Sequence, residues 1–577
     1  MISDPGLRSK FLIPDPRSPI PDTIARITAP LVVCLAAVLY LGPLFLDAPL
    51  TDPDEGLHAV IAQEMHDRGD FLVPRFLGRA FLDKPILFFW TQLASISAFG
   101  MGPAAARLPG MLFALLGIVT TGWLARVLFD GATGLAAATC YATMVLPFLL
   151  AQAPVHDMAL VPFTNLALGL LWRARVNPKT QIPNPKPQRL DLGFGIWDLG
   201  FAGVALGVSV LTKGLEGVAI VGIGYGAYLL LTRGITWTVA WQGIAVLAIA
   251  VVIALPWYLV MEAREPGYLR YYFIDRHLLG FATDTQRHAG QPWWFYVPLT
   301  VGGGLPWILY VHLKGIGGRG KGLEEGGRGK GIGGSAEILL WTWLLGAVVL
   351  LSLSGSKAVT YLLPAMPAIA ILASRSWVLA LSAESRDASA HPLRARALVH
   401  AALFFVIAAL TPWAASRFGD QPVRAGEAVA FAVLSAVWLW LLNSLRRRPA
   451  AHAWPRLVVA TGMTYVLAFA LLGPPLAQAH SARDLAGYFS TPGRLPHTIY
   501  IMDGRVSFVY YLRPDVRREL RENQIQSVSV EQLAAMQPFP SDAVVALPAD
   551  LAGRLSRVPQ LAGASRQGAG RYIVVKP

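Results

Sequence analysis

"KPILFFWTQLASISAFGM" (residues 84–101) is apolar enough to be counted as a membrane span, and that choice sets which side every later segment faces. It is one of fourteen apolar runs, near 27–46, 86–101, 107–128, 131–151, 158–172, 195–212, 215–232, 236–261, 293–313, 337–353, 358–380, 398–416, 428–445 and 456–473. Charged residues make up 15% of the 577 positions and hydrophobic ones 54%, where a soluble protein carries about 25% charged residues. The chain therefore reads as a polytopic α-helical membrane protein.

Basic, acid-poor loops mark the cytoplasmic side of such proteins. Here they are 173–189, the Gly/Lys/Arg stretch 314–330, 394–396 and 446–456. If all fourteen runs spanned, 173–189 would face outward. Taking 86–101 as an interfacial segment corrects this, because sixteen residues fall short of the roughly twenty a span needs. About thirteen transmembrane helices then follow a cytoplasmic N-terminus, 1–26. The expected outer segments are 48–106, 152–157, 213–214, 262–292, 354–357, 417–427 and the tail. The domain layout is a transmembrane unit, 27–473, with an outer loop 48–106 and a lid loop 262–292, and then a small α/β domain, 474–577. That tail alternates β-branched runs such as "HTIYIMD" and "RYIVVKP" with helical segments such as "VEQLAAM".

The net charge of +14 is carried by the connecting loops, so it reports topology and not nucleic acid. Cys34 and Cys140 both lie in apolar runs and supply neither a disulfide framework nor a thiolate metal site. The run 27–46 lacks a small-x-small exit and reads as an uncleaved first span.

Candidate chemistry gathers on the outer face. Asp52-Pro53-Asp54-Glu55 either presents a partly desolvated carboxylate or caps an amphipathic helix, "DEGLHAVIAQEMHDRG". Asp83-Lys84, pinned by Pro85, can hold a phosphate or lie at headgroup level. His156-Asp157 offers a second acid. Lys213-Gly214 and Glu216 place charge between two apolar runs, a functional setting by default. Residues 262–292 are aromatic and mixed in charge, with Arg270, Arg276 or Arg287 suited to phosphate. His277 and His288 have no metal-ligand spacing. Ser354-Gly355-Ser356-Lys357 sets a lysine at a helix start, with Tyr361 beyond it.

The order Asp52–Glu55, "RGDFLVPRFLGRAFLDKP", "ARLPG", "HDM", "LTKG", "PWYLVM", "QPWWFYVP" and "SGSKAVTYLLPAMPAIAIL" resembles the bacterial dolichyl-phosphate-mannose–protein mannosyltransferase-like family, on the side of the lipid A aminoarabinose transferases. The resemblance implies a C-type glycosyltransferase fold and an inner-membrane, multi-pass enzyme acting on the periplasmic face. It implies a polyprenyl-phosphate sugar donor, a lipid or protein acceptor and inversion at the sugar; apart from the resemblance, no nucleic-acid partner is expected, and a monomer is. It makes Asp54 and Asp157 the catalytic acids. By motif, Lys84, Lys213 and Lys357 become phosphate or lipid ligands beside Asp83; the reading of loop 262–292 adds Arg270 and Arg276, with Asp52, Glu55, His156 and Tyr361 in support. Asp83 stands where the family shows Glu, Phe81 where Tyr often precedes it, Arg276-His277 where His-Asn is usual, and Gly280 where Arg often follows. No cofactor is certain, and a divalent metal is left open with Asp83 and His277 as its candidate ligands. Two other classes compete: a transporter or flippase of polyprenyl-linked sugars, and an oligosaccharyltransferase with a diphosphate donor.

Overall fold

The computed structural model describes residues 22–176, 195–283, 290–312, 330–384, 391–418, 422–447, 453–490, 495–502, 504–536 and 539–576. Most of loop 173–189, nearly all of 314–330, Arg287 and His288 fall outside them. The membrane part begins with α1 (Asp22–Leu41) and a 3-10 turn, Gly42–Phe45; α1 starts five residues before the expected span and cuts into the proposed N-terminal segment. There follow α2 (Asp54–Arg68), a small hairpin β1–β2 (Arg75–Phe76, Arg79–Ala80) and α3 (Leu87–Phe99). At 1.5 Å per residue, the thirteen residues of α3 reach about 20 Å, short of the ~30 Å hydrocarbon core.

Next come α4 (Pro103–Leu128), α5 (Gly131–Ala142), α6 (Val145–Ala151), α7 (His156–Val176), α8 (Gly195–Lys213), α9 (Glu216–Leu231) and α10 (Trp237–Arg264). The single run 131–151 is a pair, α5 and α6, bent by 58°. The expected loop 262–292 is largely helical where described: α10 runs to Arg264, and a π-helix, Arg270–Leu279, continues into Gly280–Ala282. Burial explains this, since Tyr258, Tyr268 and Tyr272 pack together in one aromatic cluster.

The run 293–313 is broken as well. Its helix α11 (Tyr296–Gly303) has eight residues, about 12 Å, and a 3-10 turn, Trp307–Tyr310, follows. The remaining membrane helices are α12 (Lys330–Leu353), α13 (Met366–Glu384) after a 3-10 segment Val359–Ala365, α14 (His391–Phe418), α15 (Ala425–Arg447) and α16 (Trp454–Ala479). Among the described residues, eight helical stretches are long and apolar enough to cross a bilayer, and the bent pair makes a ninth. Pro474 and Pro475 lie inside α16, so the tail starts later than composition suggested. Pro is tolerated in membrane helices where neighbours re-satisfy the freed backbone.

After α17 (Arg483–Tyr488) the tail forms β3 (Thr498–Ile501), α18 (Phe508–Tyr511), α19 (Pro514–Arg518), β4 (Ile525–Ser527), α20 (Val530–Ala535), β5 (Ala543–Pro548), β6 (Ser565–Ala569) and β7 (Tyr572–Lys576). The sheet order is β4-β3-β5-β7-β6, with β3 parallel to β4 and β5, and β7 antiparallel to β5 and β6.

This tail shares a hydrophobic core with the outer loop. Leu50, Ala59, Val60 and Ala106 pack with Leu485, Phe489, Ile499, Phe508 and Val509. The other side of α2 (Ile61, Ala62, Met65) packs on α3, Val210 and Trp257. With both faces covered, α2 is a wedge between membrane part and tail, and not the surface helix its charges suggested.

Candidate active site

Sequence dictates how α2 presents its first turn. Asp54 and Glu55 stand where the helix macrodipole favours negative charge, and Gly69 (φ +66°) closes the far end left-handed. The two acids then diverge. Glu55 is buried and takes the Arg107 guanidinium in a fork, Nε–Oε1 2.5 Å and Nη2–Oε2 3.1 Å, while Thr51 donates through N and Oγ1 at 2.7 and 2.8 Å. Arg107 also donates to the carbonyls of Ala48 and Pro49 at 2.7 Å each. Asp52 is committed to the tail: Val506 N and Ser507 N donate to Oδ1 at 2.9 Å each, and Ser507 Oγ to Oδ2. Burial lifts the Asp52 carboxyl to about 6, against the pull of those bonds. Asp54, by contrast, is exposed, and among the described residues its carboxylate has no hydrogen-bond or ion-pair partner.

One turn beyond Asp54, the buried His58 faces Pro154 O through Nδ1 at 3.1 Å and lies 4.6 Å, centroid to centroid, from His156. Burial lowers His58 to about 4; Asp54 opposes that and the Lys84 charge adds to it. His58 is therefore neutral, with Nδ1 assigned as the donor. His156 packs between Phe88 and Phe89, and among the described residues neither of its ring nitrogens has a hydrogen-bond partner.

Behind this wall is a buried ion cluster. Lys213 Nζ pairs with Asp157 and, at 2.7 Å, with Glu216, and it lies 3.8 Å above the Tyr361 ring. Two carboxylates already balance Lys213, so the structure gives it a scaffold position instead of the open phosphate contact expected from sequence. Gly214 (φ +75°) turns the chain there, and a Cβ would strike His277 and the Tyr272 hydroxyl. Lys357 is also withdrawn; its Nζ donates to Ser354 O at 2.5 Å.

Lys84 differs from both. It is half-buried and, among the described residues, has no hydrogen-bond or ion-pair partner. Burial holds its pKa below the ordinary lysine value; the Lys213 and Arg276 charges reinforce the shift, and Asp157 and Glu216 counter it. Asp83 accepts from Tyr271 OH at 2.5 Å and lies 3.7 Å from Arg276 Nε. Burial and this carboxylate push the Tyr271 phenol up to about 12. Arg270 is exposed on the π-helix.

The candidate metal ligands do not converge. His277 Nδ1 faces Tyr272 O at 2.7 Å, and Nε2 accepts from Leu215 N at 3.4 Å, so both nitrogens are engaged. Burial lowers its pKa. Asp83 is committed to Tyr271 and Arg276. Among the described residues no three His, Cys, Asp or Glu side chains gather as a metal site.

Sequence reasoning missed Arg107, Tyr271 and Ser507 as partners. Arg107 carried a signal, a lone cation at the start of an apolar run; Ser507 carried none.

Residues 83–182 match the family described as dolichyl-phosphate-mannose-protein mannosyltransferase. The chain is 29% identical over 398 residues to the undecaprenyl phosphate-alpha-4-amino-4-deoxy-L-arabinose arabinosyl transferase of Edwardsiella ictaluri, covering 67% of each. It is 30% identical over 359 residues to arabinosyl transferase 1 of Pseudomonas fluorescens, covering 62% of this chain and 61% of that one. In fold it is similar to the crystal structure of ArnT from Cupriavidus metallidurans bound to undecaprenyl phosphate, with TM-score 0.69, 22% identity, and coverage of 95% of this chain and 97% of that one.

The architecture is thus the fold of that crystal structure over nearly the whole chain. In sequence it is similar to the arabinosyl transferases named above, the resemblance its motif order carries.

Proposed function

We propose that this protein transfers a sugar from a polyprenyl monophosphate to a hydroxyl or phosphate acceptor at the periplasmic face of the bacterial inner membrane, with inversion. One observation carries the reading: of the charges gathered at α2 and just ahead of α3, Asp54 and Lys84 have no hydrogen-bond or ion-pair partner among the described residues. An unpaired, partly desolvated cation suits a leaving phosphate, and an open carboxylate suits the incoming nucleophile. The Edwardsiella and Pseudomonas relatives are named for an undecaprenyl-phosphate donor. A largely apolar cavity of about 630 Å³, between the 42–45 turn, α6 and α16 and capped by Asp52, Glu55 and Arg107, offers room for hydrocarbon.

In this mechanism Asp54 accepts the acceptor's proton as the acceptor oxygen bonds to the anomeric carbon. The bond from that carbon to the phosphate oxygen breaks, and the electron pair leaves on polyprenyl phosphate beside Lys84 and Arg276. With a phosphate acceptor no proton is removed, and Asp54 instead orients the acceptor. Asp157, Lys213 and Glu216 hold the wall against which Lys84 sits.

The test is Asp54→Asn in purified protein, assayed for transfer from undecaprenyl-phosphate-linked sugar. Loss of general-base action lowers the rate about 10²–10⁴-fold, while folding and insertion stay intact. Near-normal transfer would sink the assignment. Mass spectrometry of envelope glycolipids and glycoproteins, with and without the protein, reads out sugar and acceptor.

A further inference from the structure

A second polar-headed groove lies at the far end of the helices that carry the ion cluster. By helix rise, Arg175 on α7 is about 27 Å from Asp157 on the same helix. The groove, about 660 Å³, runs between α7, α8, α9 and α10. Its deep wall is apolar, with Leu171, Leu206, Val221 and Val246 among its residues. Its polar end carries Arg175, Arg233, Thr236, Thr238 and Gln242, and no acidic residue lines it among those described.

The two arginines are set differently. Arg175 Nη1 donates to Gly234 O at 3.3 Å, and the guanidinium lies over the Tyr228 ring at 5.6 Å, which fixes it in place. Arg233 is exposed and sits at φ +52°, a left-handed backbone that non-glycine residues rarely adopt. Beside them Trp237 and Trp241 are 83% and 64% exposed, as in an aromatic belt at a membrane–water interface. Gly222 on α9 and Gly243 on α10 both line the groove, and a Cβ at either meets nothing within 4 Å. The hydrocarbon part is therefore open, and its width depends on two missing side chains.

We infer that this groove binds one anionic phospholipid, with its phosphate on Arg175 and Arg233 and an acyl chain laid between α9 and α10. Charge selects the class: basic pockets between membrane helices attract anionic headgroups, and the guanidinium fork matches phosphate. Under the proposed topology this is the cytoplasmic leaflet, but the binding test does not depend on that topology or on the transfer reaction.

Full-length protein, stripped of lipid in detergent, is titrated with phosphatidylglycerol, phosphatidylcholine or undecaprenyl phosphate and read by native mass spectrometry. One phosphatidylglycerol is expected to bind at least fivefold more tightly than phosphatidylcholine. Arg233→Gln weakens it about fivefold to tenfold. Gly243→Phe fills the groove and removes the bound lipid. Both variants keep the wild-type elution profile and circular-dichroism melting curve, which shows that they fold. Undecaprenyl phosphate binding is expected to be insensitive to Gly243→Phe. Wild-type retention of phosphatidylglycerol by both variants, or equal affinity for phosphatidylcholine, overturns the site. Loss of undecaprenyl phosphate in Gly243→Phe overturns the choice of occupant.

Discussion

Replacing Arg107 with Met tests what holds α2 in place. In the native structure Arg107 is 7% exposed and its partner Glu55 4%. The guanidinium makes four hydrogen bonds, two to Glu55 and one each to Ala48 O and Pro49 O. Arg107→Met leaves a buried carboxylate without its cation, and breaking a buried pair from one side costs about 3–5 kcal/mol. At about 1.4 kcal/mol per factor of ten, the amides of α2 lose about two to four orders of magnitude of protection if they exchange by local opening. Hydrogen exchange followed by mass spectrometry measures this on peptides covering 54–68. The double variant Glu55→Met/Arg107→Met is the control. Replacing both partners by apolar side chains of similar volume is often close to neutral, so protection should largely return. Unchanged exchange in Arg107→Met, or a double variant as unprotected as the single one, would refute the pair as the support of α2.

Four further outcomes follow from the site and the topology. Lys84→Gln raises KM for the polyprenyl-phosphate donor about ten- to a hundredfold, the worth of a hydrogen bond to a charged group. Because the folded protein binds the Lys84 proton less tightly than the unfolded chain, stability rises with pH between the lowered pKa and about 10.4; pH-dependent unfolding shows this rise in the wild type and not in Lys84→Gln. For Asp52, a folded pKa of about 6 lies above the unfolded value of about 3.9, so its contribution to holding the tail is lost as pH climbs through that window. Limited proteolysis of the tail is accordingly slower at pH 5 than at pH 7, and Asp52→Asn flattens the difference. A topology reporter inserted at the 100–102 turn, just ahead of α4, should read periplasmic, and a cytoplasmic signal would refute the interfacial placement of 86–101.

Charge at the edge of an apolar run is costly, which is why Asp54, Lys84, Asp157 and Lys213 were legible in the sequence. Which of them stay available was not legible, because neutralising partners lie far along the chain: Arg107 is 52 residues from Glu55, Lys213 is 56 from Asp157, and Ser507 is 455 from Asp52. Periodicity likewise located the apolar runs but not the bend between α5 and α6, or the short helix inside 293–313. At those breaks Trp307 donates to the Thr143 hydroxyl, and Gly303, the last residue of α11, lies close against Leu146. The α/β character of the tail was readable from its β-branched runs. Its docking on α2 was not, since Tyr510 and Tyr511 look like ordinary core aromatics. In the structure Leu50 N donates to Tyr511 OH at 2.7 Å, and Gln63 Nε2 to Tyr510 O at 3.0 Å.

These bonds bear on how the protein is made. A ribosome finishes residues 48–106 roughly 20–90 s before residues 506–511 at 5–20 residues per second. Throughout that interval the nascent loop lacks the Tyr510 carbonyl that accepts from Gln63, the donors for the Asp52 carboxylate, and half of its shared core. The segment bearing Asp54 thus stays a client for chaperones or proteases until the last hundred residues emerge. Lesions in the tail, far from any reacting atom, should therefore appear first as lost protein and only afterwards as lost catalysis.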